Sequence, residues 1–159
     1  MRSLKEQTLK IFIGADHRGY SYKEKIIKIL KDLHYLVEDL GAYDDKMSCD
    51  YPQIAYKVAK RVAGSKSARG ILVCMSGIGQ AIAANKVRGA YAALCYNATS
   101  AKLSRAHNNA NILVLSAKFV KASQLKKIIA VWLTTGFEGG RHERRVRQIR
   151  DIEKKESCC

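Results

Sequence analysis

Proline occurs once in this 159-residue chain, and tryptophan occurs once. So little proline argues against a loop-rich or disordered protein. The five cysteines (Cys49, Cys74, Cys95, Cys158 and Cys159) form no C-x-x-C pair and no zinc-module spacing with the four histidines. Neither a disulfide framework nor a metal site is expected from them. An odd, scattered set of thiols reads as reduced, which points to the cytoplasm. The N-terminal stretch MRSLKEQTLKIFIGA lacks a signal-peptide core. No run approaches the ~18 apolar residues of a membrane span, so no membrane partner is expected. Acidic residues are also scarce, 14 against 29 lysines and arginines, for a net charge of +15. That excess attracts anions, whether nucleic acid, anionic lipid or phosphorylated metabolites, and composition does not choose among them.

Short β-rich runs alternate with amphipathic helical segments along the whole chain. Strands are predicted at residues 10–14, 35–40, 71–74, 90–95 and 111–115. Between them lie helices marked by Ile26, Ile27, Leu30 and Leu33, by Ile54, Ala55, Val58, Ala59 and Val62, by residues 81–84 and by residues 97–106. Pro52 suits the first turn of the second helix, and Gly64 is a natural stop for it. Leu125, Ile128, Ile129, Trp132 and Leu133 mark a further helix, and a basic one follows over about residues 141–155. With no hairpin signal and no linker, the pattern predicts one α/β domain over residues 1–159. Its architecture is a Rossmann-like three-layer sandwich, a five-stranded parallel sheet with helices on both faces. Ligands of such sheets bind beyond the carboxyl ends of the strands, where strand order reverses. Asp16, His17 and Cys74 fall at such ends.

The stretch 70–86, GILVCMSGIGQAIAANK, carries the most chemistry. A buried strand ends at Cys74, a turn of Met75, Ser76, Gly77, Ile78 and Gly79 follows, and then a helix begins. A cysteine closing a buried strand is ordinarily a small core residue. Beside a helix N-terminus, however, a thiol's pKa falls and an anion is stabilised. The glycines do not complete a dinucleotide fingerprint, because Ile82 stands where a small residue is needed. Nor is there a Gly-Lys-Ser/Thr P-loop or a G-x-S-x-G elbow.

Three other groups stand out. Asp16 and His17 read either as a cap and a surface histidine, or as hydroxyl and anion ligands. His107 and Asn108 close a helix, where a lone histidine is more often structural, and Tyr51 precedes Pro52 at a helix start. Arg141 and Arg145, four apart, share one helix face and are spaced to grip one phosphate. The ordinary reading of this tail is a solvated basic face, and it lacks the interleaved aromatics of a nucleic-acid binder.

Taken in order, G-A-D-H-R-G, D-Y-P, G-I-L-V-C-x-S-G-I-G-x-x-I-A-A-N-K, L-S-R-A-H-N and G-G-R-H-x-x-R-V resemble the type B ribose-5-phosphate isomerases. The wider family includes the galactose- and allose-6-phosphate isomerases, and the resemblance spans about residues 9–153. It implies a cofactor-free aldose–ketose isomerase of the pentose phosphate pathway. It also implies a homodimer, with a tetramer as the larger assembly, whose active sites are shared between subunits. The helix at 141–155 would reach the partner.

By resemblance, Cys74 is the proton-transferring base and His107 opens the sugar ring. Ser76 helps move a proton between oxygens, and Asp16 steers hydroxyls. His17, Tyr51, the 75–79 loop, Asn108, Lys118, Arg141 and Arg145 fall on substrate-binding positions. Two departures bear on activity. Met75 replaces a usual glycine, which puts its amide geometry in question, and Lys118 stands where an arginine often completes the phosphate grip. The rival readings are an isomerase of a six-carbon sugar phosphate, and a basic nucleotide- or RNA-binding module on the same fold.

Overall fold

A computed structural model describes residues 9–156. Cys158 and Cys159, singled out above, lie outside the described residues. The strands are β1 (Lys10–Ala15), β2 (Leu36–Asp39), β3 (Arg69–Cys74), β4 (Ala92–Leu94) and β5 (Ile112–Ser116). The helices are α1 (Tyr20–Asp32), α2 (Tyr51–Ala63), α3 (Ile78–Ala84), α4 (Ala98–Asn108), α5 (Leu125–Thr134) and α6 (Arg141–Glu156), with a 3-10 turn at Ala122–Gln124. All five strands pair in parallel, in the order β2-β1-β3-β5-β4. The expected sandwich is therefore the fold observed.

Alternation along the central strands builds two cores. Ile71 and Val73 of β3 join Leu113 and Leu115 of β5 on one face, packed with Ile26 and Leu30 of α1, Ala101 of α4 and Trp132 of α5. Leu72, Ile112 and Val114 point the other way, onto Val58 and Val62 of α2 and Ala84 of α3. Burying a Leu, Ile or Val side chain contributes about 1.5–3 kcal/mol, so this double-sided burial fixes strand register and keeps the ends of β1 and β3 level.

The edges depart from the sequence pattern. Leu36 is one of the clearest apolar positions of the predicted second strand, yet it is 56% exposed, because β2 closes one edge of the sheet. Gly64 does cap α2, but at φ −77°, so its freedom to adopt left-handed backbone is not what ends the helix. Asn97 caps α4 through a reciprocal pair of bonds with Ser100, and Asn109 closes that helix in the left-handed conformation at φ 51°.

Candidate active site

Strand order reverses between β1 and β3, and an open cleft of about 690 Å³ lies beyond their carboxyl ends. Asp16, His17, Tyr51, Cys74, Met75, Ser76, Ile78 and Gly79 all line it. Two close approaches set its shape. A side chain on Gly19 would sit 2.4 Å from the Val73 carbonyl oxygen, so the loop after β1 presses directly on the end of β3. One on Gly79 would sit 2.5 Å from Tyr51 Cζ, so the Tyr51 ring presses against the start of α3.

The thiol is buried, 5% exposed, and its Sγ accepts the Gly77 N–H at 3.1 Å. Gly77 adopts φ 83°, where a side chain would also meet Leu94 Cδ1 at 2.5 Å. Burial pushes the Cys74 thiol above its ordinary 9.0, with Asp16 adding to the rise and the Gly77, Gln80 and Ser76 amides pulling it down. The expectation that the loop lowers this pKa is thus overturned in its net sign. Desolvation of a thiolate outweighs the N–H groups that face it.

Other polar side chains of the cleft are partly committed. Asp16 Oδ1 accepts the Gly19 N–H at 2.8 Å, so one carboxylate oxygen is taken up locally, but in the turn before α1 rather than as its cap, because the N-cap is Gly19 and no side chain caps the helix. Ser76 Oγ accepts the Ile78 N–H at 3.3 Å. His17 Nδ1 accepts the Cys49 N–H at 3.3 Å, which leaves Nε2 to carry the ring proton toward a ligand. Met75 is unstrained. It is absent from the positive-φ residues, and its carbonyl accepts Ser116 Oγ–H at 2.6 Å and the Lys118 N–H at 3.1 Å. No glycine is required there. Lys118 itself is exposed and does not line the cleft; its ammonium lies 5.6 Å from the Phe119 ring centre.

His107, Asn108, Arg141 and Arg145 are not in this cleft. Because α4 joins two parallel strands, it runs against them, and its last residues lie at the edge where the strands begin. The first turn of α6 packs beside it. His107 and His142 stack with ring centres 4.1 Å apart and planes at 6°. Their Nε2 atoms lie 3.7 Å and 3.5 Å from the same Glu138 carboxylate oxygen. Burial pulls His142 below the ordinary imidazole range, and the nearby His107 and Arg141 act in the same direction. Arg141 and Arg145 are exposed on α6. With six residues in β3 at about 3.3 Å each, the two groups stand roughly 20 Å apart in one chain.

Sequence reasoning passed over Arg18, Ser48, Cys49, Asp50 and Ile82 of the cleft, and over Glu138 and His142. Arg18 sits inside the G-A-D-H-R-G run, where Asp16 and His17 carry the reading, and His142 sits inside the arginine-rich run, whose ordinary reading is a solvated basic face. Nothing local marks Glu138, which reaches the histidines only through the turn between α5 and α6.

The family described as Ribose/Galactose Isomerase matches residues 11–149. This chain belongs to that family. Among ribose/galactose isomerase family members, the ribose-5-phosphate isomerase B of Escherichia coli is 40% identical over 146 residues, covering 92% of this chain and 97% of the relative. The solved ribose-5-phosphate isomerase B of Clostridium thermocellum superposes with a TM-score of 0.90 at 45% identity, over 93% of this chain and 99% of that one. That of Mycoplasma genitalium, solved with bound ribulose-5-phosphate, gives 0.89 at 43% identity, over 93% and 98%.

Proposed function

We propose that this chain is a ribose-5-phosphate isomerase, interconverting ribose 5-phosphate and ribulose 5-phosphate through an enediolate. One observation carries the reading. A buried thiol closes β3 at the switch point of the sheet, in a cleft with Asp16 and His17, in a family whose members carry this name.

Moving a carbonyl between C1 and C2 means removing a weakly acidic proton from carbon and returning it to the neighbouring carbon. Cys74 as thiolate takes the proton from C2 of the aldose and delivers it to C1. The Gly77 amide holds the sulfur in place, so it is not free to hold the sugar's oxyanion, and the Ile78 amide is already bonded to Ser76. The Ser76 amide also faces the sulfur, so the oxyanion falls to the remaining amides of the turn, Met75 and Gly79, where each well-placed donor is worth about 3–4 kcal/mol. The Ser76 hydroxyl moves a proton between O1 and O2, and the free oxygen of Asp16 orients a sugar hydroxyl.

Ring opening and phosphate binding call for a second copy of the chain. His107, where the strands begin, cannot reach its own Cys74, whereas a partner's α4 and α6 docked over the cleft would bring it there. In this homodimer His107 protonates the ring oxygen, Asn108 holds a hydroxyl, and Arg141 and Arg145 grip the phosphate with His17. Lys118, without a guanidinium fork, contributes charge at most. The chain then works as one domain whose α6 reaches the partner. The reading is of a cytoplasmic enzyme, supported by free Cys49, Cys74 and Cys95 and by the lack of a membrane-length apolar helix among the described residues.

The family description also names galactose, so the six-carbon reading is tested directly. Steady-state kcat/KM is measured for ribose 5-phosphate, allose 6-phosphate and galactose 6-phosphate. Preference for ribose 5-phosphate is expected; preference for either hexose phosphate would overturn the substrate assignment.

A further inference from the structure

Two histidines and a glutamate meet near the end of the sheet where the strands begin. One ligand atom each from His107, Glu138 and His142 lies within 4.8 Å of the others, a grouping not shared by any other His, Cys, Asp or Glu trio among the described residues. In sequence the three are scattered over 36 positions, so no ligand spacing betrays them.

We propose that His107, Glu138 and His142 bind one divalent cation of the zinc class, and that the bound ion blocks isomerisation by occupying the His107 nitrogen. The inhibitory half rests on the reading of His107 as the ring-opening acid. Two imidazoles and one carboxylate, with a further position open, are a ligand set that zinc favours. Tetrahedral zinc with bonds of about 2.0–2.2 Å sets its ligand atoms about 3.3–3.6 Å apart. The two edges to the Glu138 oxygen measure 3.7 Å and 3.5 Å, close to this spacing. The third edge joins two rings that lie parallel, and a swing of one ring aims both nitrogens at one point. His107 is free to make that swing, with its side chain 36% exposed against 9% for His142.

The backbone around the trio holds its members together without a metal. The Glu138 N–H donates to the Ala106 carbonyl at 3.0 Å, and the His142 N–H donates to that of Gly139 at 3.0 Å. The turn between α5 and α6 is thereby pinned to the end of α4. Arg141 and Arg145 stand close by and oppose a cation, so the site suits inhibition by free metal rather than a tightly held structural ion. Once coordinated, His107 has no nitrogen left at that face to give a proton to a ring oxygen.

The test uses the intact protein, zinc chloride and cobalt chloride. Calorimetry is expected to find one zinc per chain. Cobalt should give visible d–d bands without the near-ultraviolet thiolate band that Cys74 ligation would produce. Glu138→Gln and His142→Ala should each weaken binding by more than about tenfold, the lower end of what even an outer-shell partner is worth. Cys74→Ala should bind zinc as the wild type does. Glu138 is exposed, so its variant keeps the test valid even where His142→Ala fails to fold. Absence of stoichiometric binding, or binding that carries a thiolate band and vanishes in Cys74→Ala, overturns the site. Rates with zinc, each normalised to the same variant's metal-free rate, should fall in step with occupancy. Full binding with undiminished turnover would keep the site and overturn the block, and His107's place in ring opening with it.

Discussion

The Gly77 amide points at the Cys74 sulfur from 3.1 Å, across a turn that only glycine fits at φ 83°. One turn thus both positions the thiol and supplies the donor that favours its ionised form. Burial opposes that donor and prevails, so the resting thiol carries its proton at neutral pH.

A pH dependence follows, and its sign is fixed by which form works. The thiolate is the base, and its pKa stands above 9.0 in the free protein. Activity should therefore climb steadily from pH 7 upward, by close to tenfold per unit of pH, and level off only above the ordinary thiol range. The log of kcat/KM against pH, taken between 6 and 10, checks this. A profile already flat at neutrality would mean a thiol ionised by its surroundings.

The resemblance sets Met75 where a glycine is usual, but its backbone does not ask for one. Its carbonyl is held by Ser116 and Lys118, and its φ is not positive. Met75→Gly should therefore bring no gain in turnover, and should lower stability by about 0.4–1 kcal/mol through the looser unfolded chain. Thermal unfolding and kcat for the variant decide the point. A severalfold rise in kcat would show that the methionine holds the loop away from its working shape.

Cys74 and Arg141 lie toward opposite ends of the strands, and in the dimer proposed here they serve different halves of one site. Cys74→Ala and Arg141→Ala homodimers should each be nearly inactive. Mixed after unfolding and refolded together, they should regain activity, because each mixed dimer holds one site with neither substitution. Activity is assayed on heterodimers isolated by two affinity tags. No recovery in confirmed heterodimers would place both residues in one chain's site.

Much of this was legible in the residues. All five strands were predictable within about two positions, four from dense apolar runs and β2 from the apolar Leu36 and Leu40 between helices of clear period. Cys74, Asp16 and His17 could be placed at strand ends from that pattern alone. Three things could not. Pairing order is set by contacts distant in sequence, so the exposed edge position of Leu36 was hidden. The net direction of the Cys74 shift depends on how deeply the strand end is covered, which no local motif encodes. The Glu138–His142–His107 grouping exists only because α6 folds back on the end of α4. His142 was lost among arginines that do face solvent.

The central claim is that Cys74 carries the proton between C1 and C2. Its most direct test is the turnover of saturating ribose 5-phosphate by wild type and by Cys74→Ala, with unfolding curves to confirm that both are folded. Loss of a positioned base predicts a fall in kcat of ~10²–10⁴-fold with the fold intact. Turnover close to wild type in the folded variant would contradict it.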